Sequence, residues 1–295
     1  MPTVETYYNI TEKQERLAGL YREYGEKVLF VVPSGLDKDA LPDLISCRGS
    51  FFGPRPKVCT WSDLYREISQ LSHGEARRIT DPPDHTLIIG YILNKFLEEE
   101  NKKGNKLPDG VYHRGFLEIL GDNIKELLNE DISPVDLRGR LYKEGDPPDG
   151  SPEAILLRLY SEYLSYLNEH GAADSAQTAA LIRECLADEA AAGALSNITF
   201  VFIGFLTFTG SQLKLIKRLK EITETIFILP ETGLATGHDS VRQVGEEFSE
   251  RPGWNAKVFE LKAGDTQLQF DAAARETALW AHGLGALSAL GTLNG

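Results

Sequence analysis

Short apolar runs near the beginning of the chain and again in its later part predict a parallel β-sheet. The segments KVLFVVP at 27–33, ITFVFIGF at 198–205 and TIFILP at 225–230 are continuously apolar, which is typical of strands buried on both faces. A shorter run at 56–60 indicates a further strand, and a first strand is expected to end near Tyr7. Helical patterns separate these runs, so the sequence predicts βαβ units and an α/β fold.

Helical periodicity accounts for the segments that connect these strands. Apolar residues recur three and four positions apart in 11–25, where Gly25 is the expected C-cap, and in the helix expected to follow Ser62 as N-cap. The segment 37–44 is predicted to be the helix of a βα step, and an amphipathic helix is predicted to begin near Ser211. The connections between strands are therefore mainly helical.

The middle of the chain, from about residue 85 to about residue 190, is helical in pattern almost throughout and shows no strand run. Helices are predicted over 86–99, 116–128, 154–167 and 176–192. We therefore expect one parallel sheet, with strands taken from both sides of this block, and a large helical insertion between them.

This pattern divides the chain into three parts. The α/β domain is predicted to consist of residues 1–70 and 194–232, and the helical insertion of residues 71–193. Residues 233–295 are predicted to be a linker and the start of a further domain, with an edge strand at 257–262.

Composition excludes several classes of protein. The chain has 295 residues, 31 Lys and Arg against 44 Asp and Glu, and a net charge of −13, so a globally basic coat for nucleic acid is excluded while a local basic stripe is not. Cys47, Cys59 and Cys185 are too few for a disulfide framework, which favours a reducing, cytoplasmic setting. Neither a secretory leader nor a membrane span is expected from the apolar pattern.

Signatures of nucleotide chemistry are missing from the sequence. The phosphate-binding motif G-x-x-x-x-G-K-[ST] does not occur, and residues 7–12 contain no glycine where a first strand would lead into such a loop. In a P-loop ATPase the strand at 198–205 would end in an acidic pair that holds Mg²⁺, but here Gly204, Phe205, Leu206 and Thr207 stand at that point. We expect no cofactor in this fragment.

Metal and covalent catalysis are not indicated either. The six histidines show no metal-binding spacing, and each is interpreted as a surface or capping residue. No G-x-S-x-G elbow occurs, and the three cysteines are interpreted as buried, inert thiols. The sequence therefore predicts no catalytic residue and no metal ligand.

The densest basic run points to nucleic acid. One predicted helix carries four basic residues beside apolar ones: Lys214, Lys217, Arg218 and Lys220. Several positive charges on one face of a helix could contact phosphates. The alternative is an ordinary solvated helix face, since helix surfaces carry charge in any case.

A different hypothesis concerns a metal-dependent nuclease. Glu260-Leu261-Lys262 matches half of a PD-(D/E)XK motif, and Asp239 could supply the other carboxylate. The alternative is an exposed edge strand, because short triplets of this kind arise by chance.

Several segments, taken in order, resemble the N-terminal part of the AddB/RexB subunit of bacterial helicase-nucleases that process DNA double-strand breaks. The most specific is GFLTFTGSQLKLI, which is similar to a family signature with Gly204, Phe205, Thr207, Thr209 and Gln212 at the matching positions. The other segments are KVLFVVPS at 27–34, VCTWSDLYREI at 58–68, 112–137, 159–182 and 270–281. The resemblance covers nearly the whole chain.

The resemblance implies a superfamily-1 helicase-like domain with a RecA-like (P-loop NTPase-like) sheet and a helical insertion, which serves as a DNA scanning and docking surface more than as a motor. It implies DNA and an AddA-like helicase-nuclease subunit as partners. Family members often carry a Gly-rich ATP loop at the N-terminus, which residues 7–12 lack, and a C-terminal nuclease with an iron-sulfur cluster, which no segment of this chain resembles. Residues 233–295 would begin a second helicase-like half.

Three hypotheses stay open at this point. The first is an ATPase-inactive, helicase-like module of a break-repair complex that contacts DNA and a motor subunit. The second is a nuclease fragment that uses Glu260 and Lys262. The third is an unrelated α/β interaction protein.

Overall fold

A computed structural model describes residues 3–7, 10–49, 54–72, 76–80, 82–105, 107, 109–112, 114–142, 150–230 and 256–257. Ten α-helices and eight β-strands lie in this part of the chain. In chain order they are β1 (Thr3–Tyr7), α1 (Ile10–Tyr24), β2 (Val28–Val31), α2 (Gly35–Gly49), β3 (Lys57–Cys59), α3 (Trp61–Leu71), β4 (Arg78–Thr80), α4 (Pro82–Lys103), α5 (Arg114–Asn129), α6 (Pro134–Leu141), α7 (Pro152–Glu169), β5 (Ala172–Asp174), α8 (Thr178–Cys185), α9 (Glu189–Leu195), β6 (Thr199–Ile203), α10 (Gly210–Ile222), β7 (Thr225–Pro230) and β8 (Ala256–Lys257).

The main sheet has six parallel strands in the order β3-β2-β6-β7-β1-β8. Strands from opposite sides of the long helical stretch are direct neighbours: β2 pairs with β6, with Val31 opposite Phe202, and β1 pairs with β7, with Tyr7 opposite Pro230. The prediction of an α/β fold with a parallel sheet built from strands on both sides of the helical stretch is confirmed. The short β8 is at the edge, beside β1, and starts one residue before the predicted edge strand.

Helices cover both faces of this sheet. Side chains alternate along each strand, so a buried strand contributes apolar residues to a core on either face. Phe30 on β2 faces a core formed with α1 and α2, whereas Val31 faces a second core formed with α3, α8 and α10. Both side chains are fully buried, as the continuously apolar pattern requires. The sheet is thus the middle of three layers.

Helices α4 to α7, which we call the helical body, pack around a core of their own. The chain leaves the main sheet after β3 and returns to it at β6, and the buried residues of this body form a cluster separate from the two sheet cores. Its largest fully buried side chains are Tyr160 and Tyr163 of α7. None of the helices in the described ranges combines the length and the apolar character needed to cross a bilayer.

The prediction that no strand interrupts residues 85–190 is wrong. Ala172–Asp174 forms β5, which pairs in parallel with β4 in a separate two-stranded sheet. A three-residue strand gives no periodic signal, and its partner lies far earlier in the chain.

Helix ends differ from the predictions where capping side chains decide them. The continuous helix predicted over 176–192 is two helices, because Asp188 caps α9 by accepting the N–H of Ala190 at 2.8 Å. The N-cap of α3 is Thr60 rather than Ser62, since Thr60 forms a capping box with Asp63. The helix α6, also opened by a capping box, was not predicted.

A buried carboxylate, Glu100 of α4, is held by three donors. It is 7% exposed and accepts hydrogen bonds from Asn105 at 2.5 Å, from Lys103 at 2.7 Å and from Arg158 at 2.8 Å. The hydrogen bonds from Asn105 and Lys103 lower the pKa of Glu100 from its usual 4.5 to about 2. Arg158 also stacks over the ring of Phe96, 4.8 Å from its centroid.

We expect this site to make the protein sensitive to acid. Because the pKa of Glu100 is lower in the folded state, its stabilising effect is complete above about pH 4.5 and is lost as the pH falls toward 2. Urea unfolding of the natural protein and of Glu100→Gln should therefore give a stability difference that shrinks between about pH 5 and about pH 2.5. The exposed Glu98→Gln is the matched control, and a difference independent of pH would contradict the expectation.

Candidate functional site at the carboxyl edge of the sheet

Three of the family-like segments meet at one edge of the sheet. Strands β3, β2 and β6 are adjacent and parallel, so the residues that follow them, 32–38, 60–63 and 204–209, lie together; we call this region the carboxyl edge. Strand β2 continues through α2 on one face, whereas β6 continues through α10 on the other. Ligands of open α/β sheets bind at such a switch point, outside the carboxyl ends of the strands.

The loop after β6 is anchored by its aromatic residues. Gly204 has a φ of 71°, a conformation that favours glycine, and its N–H donates to the carbonyl of Ile228 at 3.1 Å. Phe205 and Phe208 are 3% and 2% exposed, and their rings stack 4.8 Å apart against the sheet. Thr207, between them, is exposed. The loop therefore presents Thr207 to solvent and buries both phenylalanines.

The last two motif residues open α10. Thr209 is the N-cap and accepts the N–H of Gln212 at 3.3 Å, and the side-chain oxygen of Gln212 accepts the N–H of Thr209 at 3.1 Å. Four of the five motif residues thus have a local role in the turn, the core or the cap. Thr207 is the motif residue that is exposed to solvent.

An ion pair between the first turns of α2 and α3 completes the carboxyl edge. Asp63 accepts from Lys38 of α2 at 2.8 Å and from the hydroxyl of Thr60 at 2.9 Å. Partial burial opposes ionisation, but the hydrogen bonds from Lys38 and Thr60 outweigh it and lower the pKa of Asp63 to about 2. The sequence analysis did not identify Lys38, Thr60 or Asp63 as site residues. The spacing T-x-x-D at 60–63 is nevertheless a recognisable capping signal.

The predicted basic run lies on α10, directly after this loop. Lys214 and Lys217 are exposed, and Arg218 and Lys220 are half-buried. Lys214 forms an ion pair with Asp131 at 2.9 Å, and Arg218 forms one with Glu221 at 2.8 Å. Contact of these four residues with DNA stays a prediction, and part of their charge is compensated within the protein.

The turn between β1 and α1 differs from a phosphate loop in length. Strand β1 ends at Tyr7 and α1 begins at Ile10, so two residues stand where an eight-residue G-x-x-x-x-G-K-[ST] loop would be needed. Glu5, 3% exposed, accepts two hydrogen bonds from Arg16 at 2.5 and 2.6 Å. The adjacent cavity of about 260 Å³ is lined by Glu5, Tyr7, Glu12, Lys13, Glu15, Arg16 and Ile228, a set with more carboxylates than cations.

His85 is a correction to the interpretation of the histidines as surface or capping residues. Its side chain is 14% exposed, and Nδ1 lies 2.5 Å from the carboxylate of Asp174 while Nε2 lies 3.2 Å from the carbonyl of Gly121. The hydroxyl of Tyr163 donates to the same carboxylate at 2.6 Å. This network joins three helices and β5 inside the protein, and we assign it a structural role. His170, by contrast, is exposed and stacks on Tyr166.

The remaining candidates lie mostly outside the described residues. This applies to Asp239, Glu260 and Lys262 of the nuclease hypothesis, and to residues 233–295 as a further domain apart from β8. Cys59 is buried, and burial raises the pKa of its thiol. Within the described ranges, no three His, Cys, Asp or Glu side chains are grouped to hold a metal ion.

Comparison with known proteins does not assign a family. A scan against protein-family models finds no match, and a search among curated proteins finds no significant relative. The sheet topology and the residues of the carboxyl edge are therefore the basis for a functional proposal.

Proposed function

We propose that this chain is a helicase-like module of a complex that repairs DNA double-strand breaks, and that it contacts DNA and a motor subunit without hydrolysing ATP. One observation carries the proposal. The segments 27–34, 58–68 and 201–219, each of which resembles the AddB/RexB family, contain residues of the adjacent parallel strands β2, β3 and β6, whose carboxyl ends lie at a single edge. Three separate segments thus contribute to one edge, which supports the proposal that they act as one site.

The finer fold assignment belongs to the same proposal. We assign the main sheet to a RecA-like domain and the helical body to an insertion in it. Two features support this assignment: the chain leaves the sheet after β3 and returns beside β2 at β6, and helices α4 to α7 in between have a separate core.

The lack of ATPase activity is proposed from two sites. Between Tyr7 and Ile10 the connection is too short for a phosphate loop. After β6, the position of an Mg²⁺-binding acidic pair is taken by Gly204 and Phe205, which serve the turn and the core. Tight binding of Mg-ATP by the purified chain, measured by calorimetry, would disprove this part of the proposal.

DNA binding is tested by the exposed Lys217 of α10. Binding of a fluorescent single-stranded or forked DNA should weaken with salt, and Lys217→Glu should reduce the slope of log K against log [salt] by about 0.7 to 0.9 for the one phosphate that this lysine neutralises. The matched control is Lys125→Glu, which reverses an exposed charge on α5. Equal slopes for the two variants would contradict the assignment to α10. Arg218→Gln is a second variant; it removes the positive charge, and with it the ion pair with Glu221, without placing a second negative charge beside Glu221.

A further inference from the structure

Two consecutive acidic residues of the helical body contact α10. They are Glu130 and Asp131, which lie between α5 and α6 and which we call the acidic turn. Glu130 accepts the N–H of Gly210, the first residue of α10, at 3.1 Å. The side chain of Asp131 accepts from Lys214 at 2.9 Å and from Arg183 of α8 at 2.8 Å. The acidic turn thus faces the beginning of the basic run.

The backbone on both sides is adapted to this contact. Asp131 has a φ of 53°, the one positive φ at a non-glycine residue among those described. Gly210 has no side chain to separate the two elements, and a Cβ there would lie 2.4 Å from the carboxylate of Glu130 and 3.4 Å from its Cα. A side chain at 210 would force the carboxylate of Glu130 to shift from its place beside the N–H of Gly210. The contact is therefore specific in geometry as well as in charge.

The cations that this turn covers would otherwise be available to another anion. Lys214 and Arg183 share the carboxylate of Asp131, and Nη1 of Arg183 is buried with no hydrogen-bond partner among the described residues. The first N–H groups of a helix also attract anions. The two carboxylates of the acidic turn therefore occupy the space in which phosphates approaching α10 would be bound.

We infer that the acidic turn is an intramolecular competitor of DNA. It compensates Lys214 and Arg183 in the free protein, and the phosphates of a bound strand displace it from α10. This inference rests on the proposed function, because it concerns regulation of the same DNA-binding helix. It predicts that removal of the two negative charges strengthens DNA binding and lets the protein neutralise more phosphates.

The test compares two double variants of the full chain that change the net charge equally. Glu130→Gln with Asp131→Asn neutralises the acidic turn, and asparagine tolerates the positive φ at position 131. Asp122→Asn with Glu126→Gln neutralises two exposed residues of α5 as the control. Fluorescence anisotropy with a labelled single-stranded oligonucleotide is measured over a salt series, and urea unfolding verifies that each variant is folded. The single variant Glu130→Gln replaces the double variant if the latter does not fold.

The expected result is about three- to tenfold tighter binding for the neutralised acidic turn, with a salt dependence steeper by about 0.7 for each additional phosphate that the protein neutralises. The control should bind only slightly more tightly and keep the slope of the natural protein. If the two double variants agree in affinity and slope while the natural protein binds, the inference is overturned and the turn is purely structural. If no chain binds DNA at low salt, the proposed function fails together with the inference.

Discussion

Replacement of Asp174 by alanine is expected to lower the free energy of unfolding by about 3–5 kcal/mol. Asp174 is 2% exposed and accepts from Tyr163 at 2.6 Å, from His85 at 2.5 Å and from the N–H of Ala176 at 2.8 Å. Its removal leaves three donors without this acceptor, among them the fully buried hydroxyl of Tyr163, and a buried donor that loses its partner keeps the cost of its desolvation. Equilibrium unfolding in urea measures the loss.

Two further variants isolate the cause. Asp174→Asn retains an acceptor oxygen without the charge. It should therefore lower the free energy of unfolding by less than Asp174→Ala does. The exposed Asp122→Ala should change stability by less than about 0.5 kcal/mol. A loss below about 1 kcal/mol for Asp174→Ala would mean that the network does not hold the helical body together.

The size of this effect follows from the position of the network. His85 is on α4, Tyr163 on α7 and Asp174 on β5, and Nε2 of the histidine lies 3.2 Å from the carbonyl of Gly121 on α5. Burial and the neighbouring carboxylate of Asp174 raise the pKa of Tyr163, so its hydroxyl remains a donor at all moderate pH values. One carboxylate thus orients the main helices of the helical body.

The main sheet could be predicted from sequence because strands buried on both faces leave a continuous apolar run. The runs at 27–33, 198–205 and 225–230 correspond to β2, β6 and β7, the first two shortened at their ends. The run at 172–174 could not be recognised, because three residues with small side chains carry no periodicity. Strand β4 was missed as well, whereas β3, also three residues long, was predicted from the run at 56–60.

His85 shows a different limit of prediction from sequence. Its partners Tyr163 and Asp174 lie 78 and 89 residues away along the chain. No local pattern marks such a site, since the histidine occupies an ordinary position near the start of a helix. Only the tertiary packing of α4 against α7 and β5 brings the three side chains together.

The carboxyl edge was predictable in its parts and not in its arrangement. The segment 204–212 stood out in the sequence, and its turn, core and cap residues follow from ordinary local rules. Its position beside the ends of β2 and β3 depends on the order of the strands in the sheet. The sequence does not determine that order, because the helical body separates β3 from β6 along the chain. The acidic turn was missed for a related reason: α6, which follows it, was not predicted.

The second large effect is expected at Phe205, whose replacement by alanine should lower the free energy of unfolding by about 3–5 kcal/mol. Its ring, 3% exposed, lies 4.8 Å from the ring of Phe208 and 5.7 Å from that of Trp61. Loss of the ring removes buried apolar area and leaves a cavity between the loop and the sheet, which the rigid strands below cannot close.

Neighbouring variants distinguish anchoring of the loop from a general effect of mutation. Leu206→Ala, at a side chain that is 49% exposed, should cost less than about 1 kcal/mol, and Phe205→Leu should give an intermediate loss. Urea unfolding of the three variants checks this order. Equal costs at 205 and 206 would mean that the loop merely crosses the surface of the sheet. A much larger cost at 205 would mean that the loop is anchored, with Thr207 and the first turn of α10 held at a fixed place on the carboxyl edge.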